Sequence, residues 1–293
     1  MANVMAVVEM TGFSVVALLH SIGLLVLCKA KWKLQNQKTL SLNLVLVEMM
    51  YAYNMVVIDI MLLSKVKISD WIGLDLFLTF FISVLFTEIR LAVLHIIMDR
   101  FMEIHMSLKY PIYMPPRKMK TLIAFLWILG LVFGLAITIC TSFEPSIPTD
   151  LVERILSFRS LILDIFILVS SIVTYLYFYS AVKKIRSLGH KSRVQSQEKR
   201  TMFANKKFKI PCIIVTTYLC FNFIATMLLI ASDSEENRTR KNLLIDIAII
   251  LDILGLLSDI FTYIFLKTNV LSLFHELRNN GIGLRKTTDM KNN

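Results

Sequence analysis

The chain has 293 residues, 56% of them hydrophobic, with a mean hydropathy of +0.66 and a formal net charge of +11. A soluble domain of this size does not carry that much apolar residue around the whole circumference of its helices. The basic residues lie between apolar blocks without aromatic interleaving, which argues against a nucleic-acid-binding surface.

A bilayer core of about 30 Å is crossed by about 20 apolar residues at about 1.5 Å rise each. Seven such blocks follow one another, at 5–28, 40–63, 72–98, 120–142, 160–182, 210–231 and 243–266. They predict an all-α bundle of seven transmembrane helices in a single domain over 1–293, with helices over 5–28, 40–63, 72–105, 120–142, 160–187, 205–231 and 243–266. The third block holds Asp75, Glu88, Arg90 and His95, and the seventh holds three aspartates, so these two stand out least by hydropathy. The N-terminus lacks the basic region of a cleavable signal, and the first block serves as its own insertion signal.

Of the 32 Lys and Arg, 23 fall in the connections after blocks 1, 3 and 5 and in the C-terminal tail, against 7 after blocks 2, 4 and 6. Basic connections stay cytoplasmic, which predicts an external N-terminus and an internal C-terminus. The sequon Asn237-Arg238-Thr239 then falls in the last outer connection, making Asn237 a glycosylation candidate. Cys28, Cys140, Cys212 and Cys220 lie in or beside apolar blocks at no metal-ligand spacing, and read as small buried hydrophobes. No metal site and no enzymatic motif is expected.

At the inner end of block 3 an acid and an arginine stand side by side, Asp99-Arg100-Phe101, followed by Ile104 and Ser107-Leu108-Lys109-Tyr110. With seven spans and an external N-terminus, this segment resembles the Asp-Arg-Tyr region of rhodopsin-like (class A) G protein-coupled receptors. Phe101 replaces the usual tyrosine and Ser107 the usual proline. The resemblance implies that Asp99 holds Arg100 at rest, and that Arg100 then turns to the C-terminal helix of a heterotrimeric G protein as the sixth helix moves outward. Leu108 would enter a groove on the Gα subunit. A guanidinium that exchanges one hydrogen-bonded partner for another is a two-state element.

Further landmarks of that family recur in order. Block 2 reads "LSLNLVLVE", with Glu48 where the family has aspartate, and block 4 carries Trp127. In block 5 Tyr175 is the choice for the inner tyrosine, with Tyr177 the alternative. Block 6 has Cys220-Phe221-Asn222-Phe223 in place of Cys-Trp-x-Pro, so Phe221 stands for the aromatic switch and the kinking proline is lost. Block 7 has Asp259 and Tyr263 with Ile260 replacing proline, then an apolar stripe that predicts a membrane-surface helix over 269–279. The outer end of block 3 has no cysteine, so the family's usual outer disulfide cannot form.

Charges inside a bilayer call for partners. Glu48 and Asp259 match two family positions that face each other, and would hold a sodium ion or share a proton. Arg90 is expected to pair with Glu88 or Asp164 as an interhelical ion pair, and His95 to be packed or hydrogen-bonded. Asp59, Asp164, Asp246 and Asp252 lie in the outer halves of their blocks, which favours a small basic extracellular ligand. Ile82 occupies the position of the amine-receptor aspartate, against a monoamine in the usual pose. Block 6 has Lys206, Lys207 and Lys209 rather than an acid near its inner end, which predicts a weakened resting lock and basal signalling. The competing reading is a multi-pass transporter or channel using the buried acids and Arg90. No inverted repeat and no Gly/Pro-broken spans support it.

Overall fold

The computed structural model describes residues 2–29, 35–64, 72–106, 109–143, 149–189, 213, 216–233, 235 and 237–262. Among them every regular element is helical. The long helices are α1 (Ala2–Lys29), α2 (Gln35–Leu63), α3 (Ile72–Met106), α5 (Pro116–Phe143), α6 (Thr149–Gly189), α7 (Thr216–Asp233) and α8 (Arg238–Phe261). The short α4 (Tyr110–Tyr113) lies between α3 and α5. Leu108, Tyr263, Lys206, Lys207, Lys209 and the expected surface helix at 269–279 lie outside the described residues.

Local chemistry sets several of the helix ends. Pro116 opens α5 at a position where a missing N–H breaks no helical hydrogen bond. Asn237 caps α8, its Oδ1 accepting from the backbone N–H of Thr239 at 3.0 Å and of Arg240 at 3.4 Å. Among the described residues six helices are long and apolar enough to cross a membrane. α8 is long enough, but Asp246, Asp252 and Asp259 dilute its apolar run.

α3 is the central post. It packs on α2, α5 and α6, while α8 closes the bundle against α1 and α7. The core is correspondingly rich in α2 and α3 side chains, with Phe13, Leu44, Leu85, Val93, Ile167, Tyr218 and Leu256 almost fully buried. α5 and α6 turn most of their spans outward, exposing Phe125, Ile128, Val132, Phe166, Val169 and Leu176. Apolar side chains on the outside and charges on the inside are the pattern a lipid solvent selects. Glycine allows close approach between α3 and α5: a Cβ at Gly130 of α5 would overlap the Glu88 carboxylate of α3, and one at Gly134 would overlap Val84.

The sixth span holds a difference from expectation. With its proline missing, α7 was expected to run without a kink, yet residues Leu219–Phe223 form a π turn. That turn carries Cys220, Phe221 and Asn222, the segment aligned with the family's kinking motif. The irregularity is supplied by backbone register instead of a pyrrolidine ring.

Candidate functional site

Three buried polar clusters are stacked along the bundle. The first lies where α3 ends. Arg100, 5% exposed, donates to the carboxylates of Asp99 and Glu103, and the Gln37 side chain of α2 sits against the same guanidinium. Asp99 also accepts from the Tyr110 hydroxyl of α4. Asn36 donates to that hydroxyl at 3.1 Å and to the Met114 carbonyl at 2.8 Å, tying α2 to the connection between α3 and α5. Burial and the adjacent Asp99 hold the Tyr110 phenol above its ordinary range, so it remains a donor. Phe101 turns away from this cluster. Its ring packs on His105 and edge-on against Tyr177, whose hydroxyl lies 2.9 Å from His105 Nδ1.

That contact corrects one expectation. Tyr175 is 56% exposed on the outside of α6, and Tyr177 is the tyrosine that meets α3. Two residues along a helix turn the side chain by about 200°, so choosing the wrong one of the pair reverses the face. Glu103, Gln37 and Asn36 were not anticipated. Glu103 could have been found, because an acid three residues after an arginine on a helix is its neighbour.

The second cluster joins α1, α2, α7 and α8 at mid-bundle. His20 Nε2 lies 2.9 Å from Glu48 Oε2, and His20 Nδ1 lies 2.8 Å from the Val16 carbonyl. Thr217 donates to Asp259 Oδ1 at 3.1 Å. The Glu48 and Asp259 carboxyl groups are within hydrogen-bonding reach of each other, and His20, Glu48 and Asp259 are all buried. A carbonyl can only accept, so Nδ1 carries a proton. The Nε2–Glu48 contact then needs one more, either on the ring or on the carboxyl group. His20 was not anticipated, since a lone histidine in an apolar run has no local partner.

The third cluster is built on Arg90 of α3. Its Nε donates to Asp164 Oδ1 of α6 at 3.1 Å, Nη1 to the Phe86 carbonyl at 3.0 Å, and Nη2 to Thr226 Oγ1 of α7 at 3.1 Å. The guanidinium carbon stands 3.7 Å from the centroid of the Phe86 ring. Asp164 accepts further from Tyr218 and Thr226 of α7, both at 2.8 Å. Of the two partners considered, Asp164 is therefore the one bonded. Glu88 is 1% exposed against Gly130, and neither of its oxygens has a hydrogen-bond partner. His95 is buried with no partner for either ring nitrogen.

Beside Arg90 is a cavity of about 70 Å³ whose wall includes Phe13, Tyr51, Phe86, Arg90, Asn222 and Asp252. Tyr51 donates to Asp252 Oδ2 at 3.0 Å. Among the four acids expected around a ligand, only Asp252 lines this cavity. Asp164 is consumed by Arg90, Asp59 and Asp246 lie nearer the N-terminal end of the bundle, and Ile82 is not on the wall. Phe221, at the π turn, faces Gly255 of α8: a Cβ on that glycine would come within 3.2 Å of Phe221 Cβ. Trp127 Nε1 donates to Asn43 Oδ1 at 2.9 Å and joins α5 to α2. Asn237 is exposed. Its amide nitrogen, the atom a glycan would use, is not needed by the cap.

An apolar-coated helical bundle with charged clusters confined to its axis defines a multi-pass membrane protein. The description "7 transmembrane receptor (rhodopsin family)" belongs to the family whose model matches residues 22–258. The chain is a member of that family, and its fold is a seven-transmembrane receptor bundle. A search of curated proteins finds no match.

Proposed function

We propose that the protein is a plasma-membrane receptor that binds a small extracellular ligand in the cavity beside Arg90 and Asp252, and activates a heterotrimeric G protein at the Asp99–Arg100 end. The observation that carries this reading is the state of Arg100. It is a buried guanidinium at the end of α3 held by two carboxylates, one of them tethered by Tyr110 to the segment before α5. Such an arrangement can release a cationic side chain to an incoming helix and recapture it afterwards.

Among the described residues its anchors come from α3 itself, α2 and α4. The incoming partner must compete with these anchors for the guanidinium. Glu103 supplies an acid that the sixth span lacks, which lowers the basal signalling expected from sequence. Outward movement of α7 would pivot at the π turn, where the regular hydrogen-bond ladder is already interrupted. Positive-inside counting places the N-terminus and the sequon Asn237 outside.

For the central cluster the reading is a shared proton. Glu48 and Asp259 supply carboxylate oxygens and Thr217 a hydroxyl. His20, however, already engages one Glu48 oxygen, and neither Ile89 of α3 nor Gly255 of α8 offers a side-chain oxygen to a sodium ion. The decisive experiment on the main reading is Arg100→Ala at matched surface expression. Stimulated nucleotide exchange on G proteins should vanish while the receptor still reaches the surface. Normal exchange by that variant would end the reading.

A further inference from the structure

The carboxylates on one side of the bundle form a ladder that continues past the cavity. Arg90 is bonded to Asp164, whereas Asp252 on the cavity wall accepts from the neutral hydroxyl of Tyr51 and forms no ion pair among the described residues. Nearer the N-terminal end, Glu9 of α1 is within electrostatic reach of Asp59 of α2 and Asp246 of α8. The helix contacts agree with this placement. Gly12 of α1 faces Ile253 of α8, with a built Cβ only 2.8 Å from its Cδ1, and Phe13 packs edge-on against Tyr51 of α2. Glu9 lies one turn beyond that contact on α1, and Asp246 two turns beyond it on α8. None of the three acids forms an ion pair among the described residues.

A group of acids is not in itself a site. Here a second observation points to a ligand: Asp59 is 2% exposed, yet its Oδ2 has no hydrogen-bond donor. A buried carboxylate oxygen without a donor is costly unless a cation or proton comes to it. Among the described residues no group of three His, Cys, Asp or Glu has the geometry to hold a metal ion. An ammonium group, which needs no fixed coordination geometry, is a cation that such acids can take. The ligand's shape follows from the ladder. Asp246 is six residues beyond Asp252, a rise of about 9 Å, and Asp59 is eight beyond Tyr51, about 12 Å. The cavity wall includes Phe13, Met55, Phe86, Ala225 and Leu229, an apolar lining that suits methylenes.

From this geometry we infer that the receptor binds a slender linear diammonium compound, one ammonium on Asp252 and the other among Glu9, Asp59 and Asp246, with the methylene chain lying along the apolar wall. This rests on the receptor reading for the direction of entry, and it deepens that reading by naming the ligand class. Two charges joined by a flexible chain bind as one unit only when the chain spans both sites, so affinity should depend sharply on length.

The test uses the full chain in lipid nanodiscs, with binding measured directly and no G protein present. The probes are α,ω-diaminoalkanes of three to eight carbons, with n-hexylamine as the single-charge control. Binding should peak near the six-carbon diamine, whose extended length matches the lower rise, and exceed hexylamine by about tenfold or more, the factor corresponding to about 1.4 kcal/mol. Asp252→Asn and Asp59→Asn should each bring the diamine down to the level of hexylamine. Glu9→Gln, at a half-buried position, should weaken it without a folding penalty. Equal binding of mono- and diamines, indifference to chain length, or full affinity in all three variants overturns the inference. A protein that binds the diamine but never stimulates G protein exchange defeats the receptor reading and leaves this one standing. One that stimulates exchange yet ignores every diamine does the reverse.

Discussion

The Arg90–Asp164 pair offers the sharpest energetic test, because its two halves are unequally protected. Asp164→Leu strands a guanidinium that cannot lose its proton, with only the Phe86 carbonyl and the Thr226 hydroxyl still accepting. Arg90→Met leaves a carboxyl group that keeps the Tyr218 and Thr226 hydroxyls and can take up a proton. Breaking a buried pair from one side costs about 3–5 kcal/mol, and well-packed apolar replacement of both partners is often neutral. Asp164→Leu should therefore lie near the upper end, about 5 kcal/mol, and Arg90→Met near or below the lower end, about 3 kcal/mol. The double variant should return to within about 1 kcal/mol of the parent, since both desolvation terms go with the charges. Thermal denaturation of the purified protein in detergent, run as a double-mutant cycle, measures all three. A double variant weaker than either single, or Arg90→Met more damaging than Asp164→Leu, would refute the reasoning.

Other consequences are open to the same preparations. Trp127→Phe removes the indole donor to Asn43 while keeping the ring, and should cost about 1 kcal/mol in thermal stability; no loss would mean that bond is not formed in the membrane. Replacing sodium by choline should leave the melting midpoint unchanged if Glu48 and Asp259 share a proton, and a sodium-dependent rise would assign the site to the ion. Asn237→Gln should lose both the glycan and the α8 cap, about 1 kcal/mol, whereas Thr239→Ala should lose the glycan alone. Equal melting of the two variants at matched glycosylation would remove the cap's contribution.

Hydropathy was enough to find the helices because lipid demands an apolar exterior whatever the bundle does inside. It was weakest at α8, where three aspartates serve the interior, and there the Asp259 motif supplied what composition did not. Pairings inside the bundle were readable only when chemistry left few choices. Arg90 had two acids to consider, and the structure bonds it to the one across the helix gap. Glu88, two residues away on the same helix, points toward Gly130 instead. His20 escaped because its partner Glu48 is 28 residues distant and nothing local marks either as half of a contact. Tyr175 and Tyr177 differ by a rotation that periodicity in an all-apolar stretch cannot resolve, since a helix hydrophobic all round has no preferred face.

The π turn explains how α7 can satisfy Asp164 twice. In a regular α-helix Tyr218 and Thr226, eight residues apart, would diverge by about 80° around the axis. One extra residue accommodated in the turn makes them behave as if seven apart, about 20° from alignment, so both hydroxyls can reach the same carboxylate of α6. The turn is thus pinned on either side, and the side chains within it, Phe221 and Asn222, are pressed against Gly255. Deleting Cys220, which is exposed on the far side, should restore an unbroken α-helix while keeping the Tyr218–Thr226 alignment and the ion pair. Such a protein should melt within about 1.5 kcal/mol of the parent, the range of a tolerated repacking. It should nevertheless lose stimulated G protein exchange, because the ladder no longer has a weak point about which the end of α7 can swing. Loss of folding would show that a regular helix does not keep the alignment, and normal exchange would show that the turn is not the pivot.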